Sequence, residues 1–127
     1  LSLVLMIGLS FMTMHCGSDP AVEGEKAFES ANYNLAEAYR KLKEYDNAEK
    51  AFVTYLKIVP QDPDAHFSLA KTYEKLNNKA LALQHYQRYV ALEKRDNQQK
   101  YVERVKTKIE KLKITAKNFA LNKVKEN

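Results

Sequence analysis

Apolar and small residues recur at helical spacing through most of the chain, and the pattern is itself repeated. Leu35, Tyr39 and Leu42 form one stripe; after a polar break at 43–46, Ala48, Phe52, Tyr55 and Leu56 form another. These intervals predict two helices that each bury one face. Sliding the chain against itself by 34 positions reproduces the pattern without a gap, the mark of a stacked repeat. Residues 29–62 align with residues 63–96, with identities at Ala31 and Ala65, Leu35 and Leu69, Ala36 and Ala70, Tyr39 and Tyr73, Leu42 and Leu76, Ala48 and Ala82, and Tyr55 and Tyr89. Tyr33 pairs with Phe67, Phe52 with Tyr86 and Leu56 with Val90. The matching positions are mostly apolar or small, as a packing unit requires.

Each copy therefore reads as two antiparallel helices, approaching closely at Ala36 and Ala48 in the first and at Ala70 and Ala82 in the second. Pro60 and Pro63 end one copy and open the next, since a first helical turn tolerates the missing N–H of proline. A third copy starts at Asn97, and Tyr101 falls 34 residues after Phe67, but Glu103, Arg104 and Thr107 then break the pattern. Tyr101, Val105, Ile109 and Leu112 instead space as one amphipathic capping helix over 97–113, started by Asp96 or Asn97. Residues 114–127 form a basic tail with weak helical character, and 17–28 a linker or an extension of the first helix. Two repeats and a cap leave apolar ends that call for a further contact, supplied by Val22 to Phe28, by self-association or by a larger assembly.

The motif of Leu35, Ala36, Tyr39, Ala48, Phe52 and Pro60, echoed by Leu69, Ala70, Tyr73, Ala82 and Tyr86, resembles the tetratricopeptide repeat (TPR). Lys94 stands where the second Pro would fall, and Asn32 and His66 replace the aromatic usual three residues before the Leu. The resemblance implies an all-α solenoid of helical hairpins, with two repeats and a C-terminal capping helix, that works as a non-catalytic protein-interaction adaptor or scaffold. In such solenoids the first helices line a concave face that holds a protein or peptide. Here that face would carry Tyr33, Asn34, Glu37 and Lys41, then Phe67, Ser68, Lys71 and Lys75, then Tyr101, Val105 and Lys108, with an aromatic ladder running from Tyr33 through Phe67 to Tyr101. Those aromatics serve either as anchors for a partner or as packing between helices. The TPR domains that clamp chaperone C-termini use Lys and Asn, whereas Tyr33, Glu37, Asp64 and Ser68 occupy the corresponding positions, so that subclass is disfavoured.

Composition narrows the picture further. With 127 residues the chain is one domain, and only 3 Gly and 3 Pro cannot punctuate a β-sandwich or barrel. A single Cys excludes an internal disulfide or thiolate zinc cluster. No nucleophile motif or Gly-rich phosphate loop is present, and Asp62, Asp64 and His66 read as an acidic helix start rather than a metal site. No enzyme, cofactor or metal is expected. The net charge of +5 is concentrated late: residues 94–127 hold 11 basic and 4 acidic side chains, against 10 and 12 in residues 1–93. That segment gives the alternative reading, a membrane-associated TPR protein whose basic C-terminal helix meets anionic lipid or RNA. Nucleic acid is the weaker partner, because aromatic interleaving is missing.

Residues 1–16 read as a signal peptide or lipoprotein leader. The uncharged run from Leu1 to Met14 would reach only about 21 Å as a helix, short of a roughly 30 Å hydrocarbon core. Cys16 follows it and precedes Gly17, Ser18 and Asp19, an arrangement similar to the lipobox of bacterial lipoproteins, although Thr13 and His15 depart from it. The expectation is lipid attachment at Cys16 and a place in the bacterial cell envelope, membrane-anchored or secreted. An uncleaved anchor or an incidental Cys are the other readings.

Overall fold

The computed structural model describes residues 19–125, which form five α-helices and one 3-10 turn: α1 Pro20–Lys41, α2 Tyr45–Ile58, α3 Pro63–Lys75, α4 Lys79–Leu92, the turn Asp96–Gln98, and α5 Gln99–Lys125. The leader and Cys16 lie outside the described residues. Among those described, no helix is long and apolar enough to cross a membrane.

Local chemistry sets the helix ends. Asp19 caps α1 by accepting from the Ala21 amide at 3.0 Å, with Pro20 next in its first turn. Residues 20–28 therefore extend the first helix. Asp62 caps α3 in the same way, accepting from the Asp64 and Ala65 amides at 2.8 and 3.2 Å ahead of Pro63. Such caps satisfy amides that the helix itself leaves unpaired. Both first helices stop by the same device: Lys43 and Asn77, 34 residues apart, take positive φ of 63° and 58°. Their amides donate to Arg40 and Glu74 carbonyls, and the next amides to Tyr39 and Tyr73 carbonyls, the Schellman ending that neither position builds with glycine.

Ala36, Ala48, Ala70 and Ala82 are fully buried, so the hairpins close where small residues let backbones approach. Phe52, Leu69 and Tyr86 fill the space around them, and Val102, Val105 and Ile109 dock α5 on α4. The core thus runs as one line through both repeats into the cap, as a solenoid requires. Where Pro is missing at Lys94, Arg95 makes the joint instead. Its guanidinium grips the Asp64 carboxylate at the head of α3 with two bonds, of 2.7 and 3.1 Å, and also holds the Glu93 carboxylate.

Two expectations for the C-terminal region are corrected. Asp96 and Asn97 do not cap the last helix; they sit in the 3-10 turn, where the Gln98 amide donates to the Arg95 carbonyl at 3.0 Å and tightens the exit from α4. The boundary at 113 marks no helix end, since α5 continues through the basic stretch to Lys125. What changes there is packing. Ile109 is buried and Leu112 half-buried, whereas Ile114, Phe119, Leu121 and Val124 are exposed, Phe119 facing an open cleft shared with Lys79 and Ala80 at the start of α4.

Candidate functional site

The first helices of the two repeats and the cap, α1, α3 and α5, present the face on which the candidate residues were placed. Aromatic trios repeat along it. Tyr33 packs edge-on against Phe52 and Tyr55, with centroids 6.0 and 5.3 Å apart, and Phe67 packs on the equivalent Tyr86 and Tyr89 at 5.7 and 5.2 Å. The expected ladder is only partly continuous. Phe67 reaches Tyr101 at 5.2 Å, but Tyr33 stays within its own trio, and its link to α3 is polar.

That link joins Tyr33, Glu37, Arg40 and Ser68. Ser68 on α3 is buried, and its influence lowers the pKa of both the Tyr33 phenol and the Glu37 carboxyl. Arg40 grips Glu37 with three bonds, the shortest 2.6 Å. Burial pushes the Glu37 carboxyl up, but the Arg40 and Ser68 hydrogen bonds and the Arg40 charge reverse this and hold it below the usual carboxylate range. Burial raises the Tyr33 phenol. Asn34 lies outside the network, on an open cleft of about 260 Å³ with Tyr33, Tyr55 and Asp62.

Between α3 and α5 lies a second cleft of about 190 Å³, lined by Phe67, Lys71, Tyr86, Tyr101, Arg104, Val105 and Lys108. It gathers five predicted residues. Its floor is aromatic, and three cations stand over the rings: Lys71 at 5.5 Å from Phe67, Arg104 at 5.7 Å from Tyr101 and Lys108 at 5.1 Å from Tyr86. The cations differ in their partners. Lys108 bonds the Glu74 carboxylate at 2.7 Å, which also accepts from the Tyr86 hydroxyl, so it works as a strut between α3 and α5. Neither Lys71 nor Arg104 has an ion-pair partner among the described residues. Val105 is buried in the cleft wall. Lys41 and Lys75, at the last turns of α1 and α3, are exposed and line neither cleft.

Sequence reading missed Arg104 and Tyr86 in the cleft. Arg104 stands where a repeat would place its small residue, so the broken pattern was itself the signal. A histidine pair was also missed: His66 on α3 and His85 on α4 stack with Nδ1 atoms 2.9 Å apart, while the Nε2 of His66 lies 3.0 Å from the Pro60 carbonyl. A carbonyl only accepts, so His66 carries its proton on Nε2 and accepts at Nδ1 from the Nδ1–H of His85. This occupies His66, while Asp62 accepts from the Tyr55 hydroxyl as well as capping α3, and Asp64 holds Arg95. Among the described residues no group of three His, Cys, Asp or Glu side chains is placed to hold a metal.

No curated protein matches the chain. A family model described as tetratricopeptide repeat matches residues 33–99, a span that starts at the first aromatic of the face and ends as α5 begins. With the 34-residue register, the paired hairpins and the alanine contacts, this match shows that the chain belongs to the tetratricopeptide repeat family.

Proposed function

We propose that the protein is a non-catalytic adaptor that holds a segment of a partner protein across its α1–α3–α5 face, with an acidic residue of the partner at the cleft between Phe67 and Tyr101. The family generally mediates protein binding and is typically non-catalytic. The observation that carries the finer reading is the pairing of Lys71 and Arg104, without ion-pair partners among the described residues, over half-exposed aromatic rings. An apolar stem can stack on Phe67 and Tyr101 while its carboxylate meets both cations. Lys108 cannot serve in this way without giving up Glu74. At the opposite end, Glu29 and Asp62 line the α1 cleft, so a partner would lie with its basic part toward α1 and its acidic part toward α5.

The place of action we propose is the bacterial cell envelope. The support is the apolar run before Cys16 and its likeness to a lipoprotein leader, with Cys16 as the lipid attachment point. A photo-crosslinking residue at Tyr101, introduced in cells, tests the adaptor reading. One dominant partner is expected, lost in Lys71→Glu and Arg104→Glu variants that keep their helical signal. Capture that ignores both charge reversals would refute the reading.

A second reading rests on the end of α5, where Lys111, Lys117 and Lys125 lie beside exposed Phe119 and Leu121 while Lys113 pairs with Glu110. Anionic vesicles would then bind the protein with strong salt dependence and no sensitivity to Arg104→Glu.

A further inference from the structure

The outer face of α1 carries a second apolar stripe that no part of the described chain covers. Ala21, Gly24, Phe28, Ala31, Leu35, Ala38 and Leu42 alternate at three- and four-residue steps, and all seven are exposed, Phe28 to 60%, Leu35 to 48% and Leu42 to 68%. This spacing is the seam of a helix that packs along another helix. The internal repeat shows what such a face is for. Ala31, Leu35, Ala38 and Leu42 correspond to Ala65, Leu69, Thr72 and Leu76 of α3. The first three of those are fully buried and Leu76 is packed on the core, because α3 has α2 antiparallel before it. The same surface on α1 has no such neighbour among the described residues.

We propose that this stripe pairs with itself, joining two copies of the chain through antiparallel α1 helices about a two-fold axis level with Tyr33. Three features of the stripe select this occupant. First, large and small residues are arranged so that reversal matches them: Phe28 meets Ala38 of the second copy, Leu35 meets Ala31, and Leu42 meets Gly24. Each bulky side chain enters a gap left by a small one, and the two-fold axis makes every such contact twice. Second, charge is complementary only in the antiparallel sense. Around Lys26, the start of α1 carries Asp19, Glu23 and Glu25, while Lys41 at its end and Lys43 just beyond it are basic, Arg40 being held by Glu37, so reversal lays acidic turns beside basic ones and opposes the helix dipoles. Third, a β-carbon built on Gly24 would meet nothing within 4 Å among the described residues. Nothing among them therefore calls for glycine in an exposed helix interior, whereas the close approach of Leu42 from a second copy does. The seam from Ala21 to Leu42 runs about 31 Å, and it leaves the α3–α5 cleft of each protomer open, so the dimer stands independently of the adaptor reading.

The experiment measures the mass of the full chain by sedimentation velocity at tens of micromolar, with Leu35→Lys and Ala31→Leu compared at equal helical signal. Wild type is expected at twice the protomer mass. Leu35→Lys should raise the dissociation constant by about a hundredfold or more, because the symmetric seam carries the change twice. Ala31→Leu should also weaken it, although it adds apolar surface, because it fills the gap for Leu35. Orientation is read in a Cys16→Ser background with a short bismaleimide: Asn34→Cys, near the axis, should link two copies, and Glu25→Cys, far from it, should not. A monomeric wild type would overturn the proposal, as would association that survives Leu35→Lys or is strengthened by Ala31→Leu. Equal linking at positions 25 and 34 would also overturn it, since a parallel pair behaves that way.

Discussion

The His66–His85 pair makes stability depend on pH in a window where few other groups titrate. The bond between them requires His66 to be neutral at Nδ1, and burial disfavours a charge on either ring. Protonation of His66 would place a second N–H where its Nδ1 now accepts, and protonation of His85 would put a charge in a half-buried site near Arg88. Burial is the main cause that holds both below the ordinary histidine value of 6.5, and for His85 the proximity of His66 and Arg88 adds to it, bringing that ring down to about 4. Asp62 and the Pro60 carbonyl pull His66 the other way, and the Tyr73 ring lies 5.5 Å from His85. In the unfolded chain both rings take up protons near pH 6.5, so between there and about pH 4 the unfolded state binds more protons than the folded one. Stability is then complete above pH 6.5 and falls as the pH drops toward 4.

At about 1.4 kcal/mol for each pH unit between 6.5 and 4.5, discounted for the solvent that screens a half-buried ring, the fall expected from His85 is about 2 kcal/mol. Urea unfolding followed by helical circular dichroism, at one protein concentration and half-unit steps from pH 7.5 to 4.5, measures it directly. The control replaces the pair by the residues at the same positions in the first repeat, Asn32 and Ala51. In His66→Asn with His85→Ala, the slope between pH 6.5 and 4.5 should largely vanish. Glu37 and Glu93, both held below the ordinary carboxylate range, lose their contributions at more acid pH. A wild type with level stability across the window, or a double variant with the same slope, would refute the assignment.

Further expectations concern packing and backbone. Ala48→Leu puts a large side chain where α1 and α2 touch at full burial, and should cost about 1 to 3 kcal/mol in urea unfolding. Leu69→Ala opens a cavity in a fully buried site between the repeats, with an expected loss of about 3 to 5 kcal/mol by the same assay. Lys43→Gly relieves a left-handed backbone at φ 63° and should raise stability by about 1 kcal/mol; a loss instead would show that the Lys43 side chain contributes more than its strain costs.

How far the sequence could be read follows from where the repeat constrains it. Ala36, Ala48, Ala70 and Ala82 are legible because one volume fits where backbones approach, and both copies must meet that limit. Asp62 and Pro63 are legible because a helix start has few local solutions. The site is different. Lys108 looked like a groove cation but is bound to Glu74, and nothing in a 34-residue separation says that their side chains meet. Arg104 is hidden from the motif because it breaks the repeat pattern. His66 departs from the family pattern, yet its partner His85 lies on another helix, beyond the reach of any local rule.

The departures from the repeat are the informative residues, because a solenoid spends its common positions on packing and is free to vary the rest. Where the copies agree, at Ala36 and Ala70 or Tyr39 and Tyr73, the shared residue answers the shared environment. Where aligned residues are similar but their surroundings differ, as at Leu35 and Leu69, the difference exposes an unmet contact: the second is fully buried and the first 48% exposed. An isolated domain under selection only for solubility would replace Phe28, Leu35 and Leu42 by polar residues at little cost to its own core. Their presence on one face, with small residues at each intervening step, is what the proposed pairing of two copies accounts for.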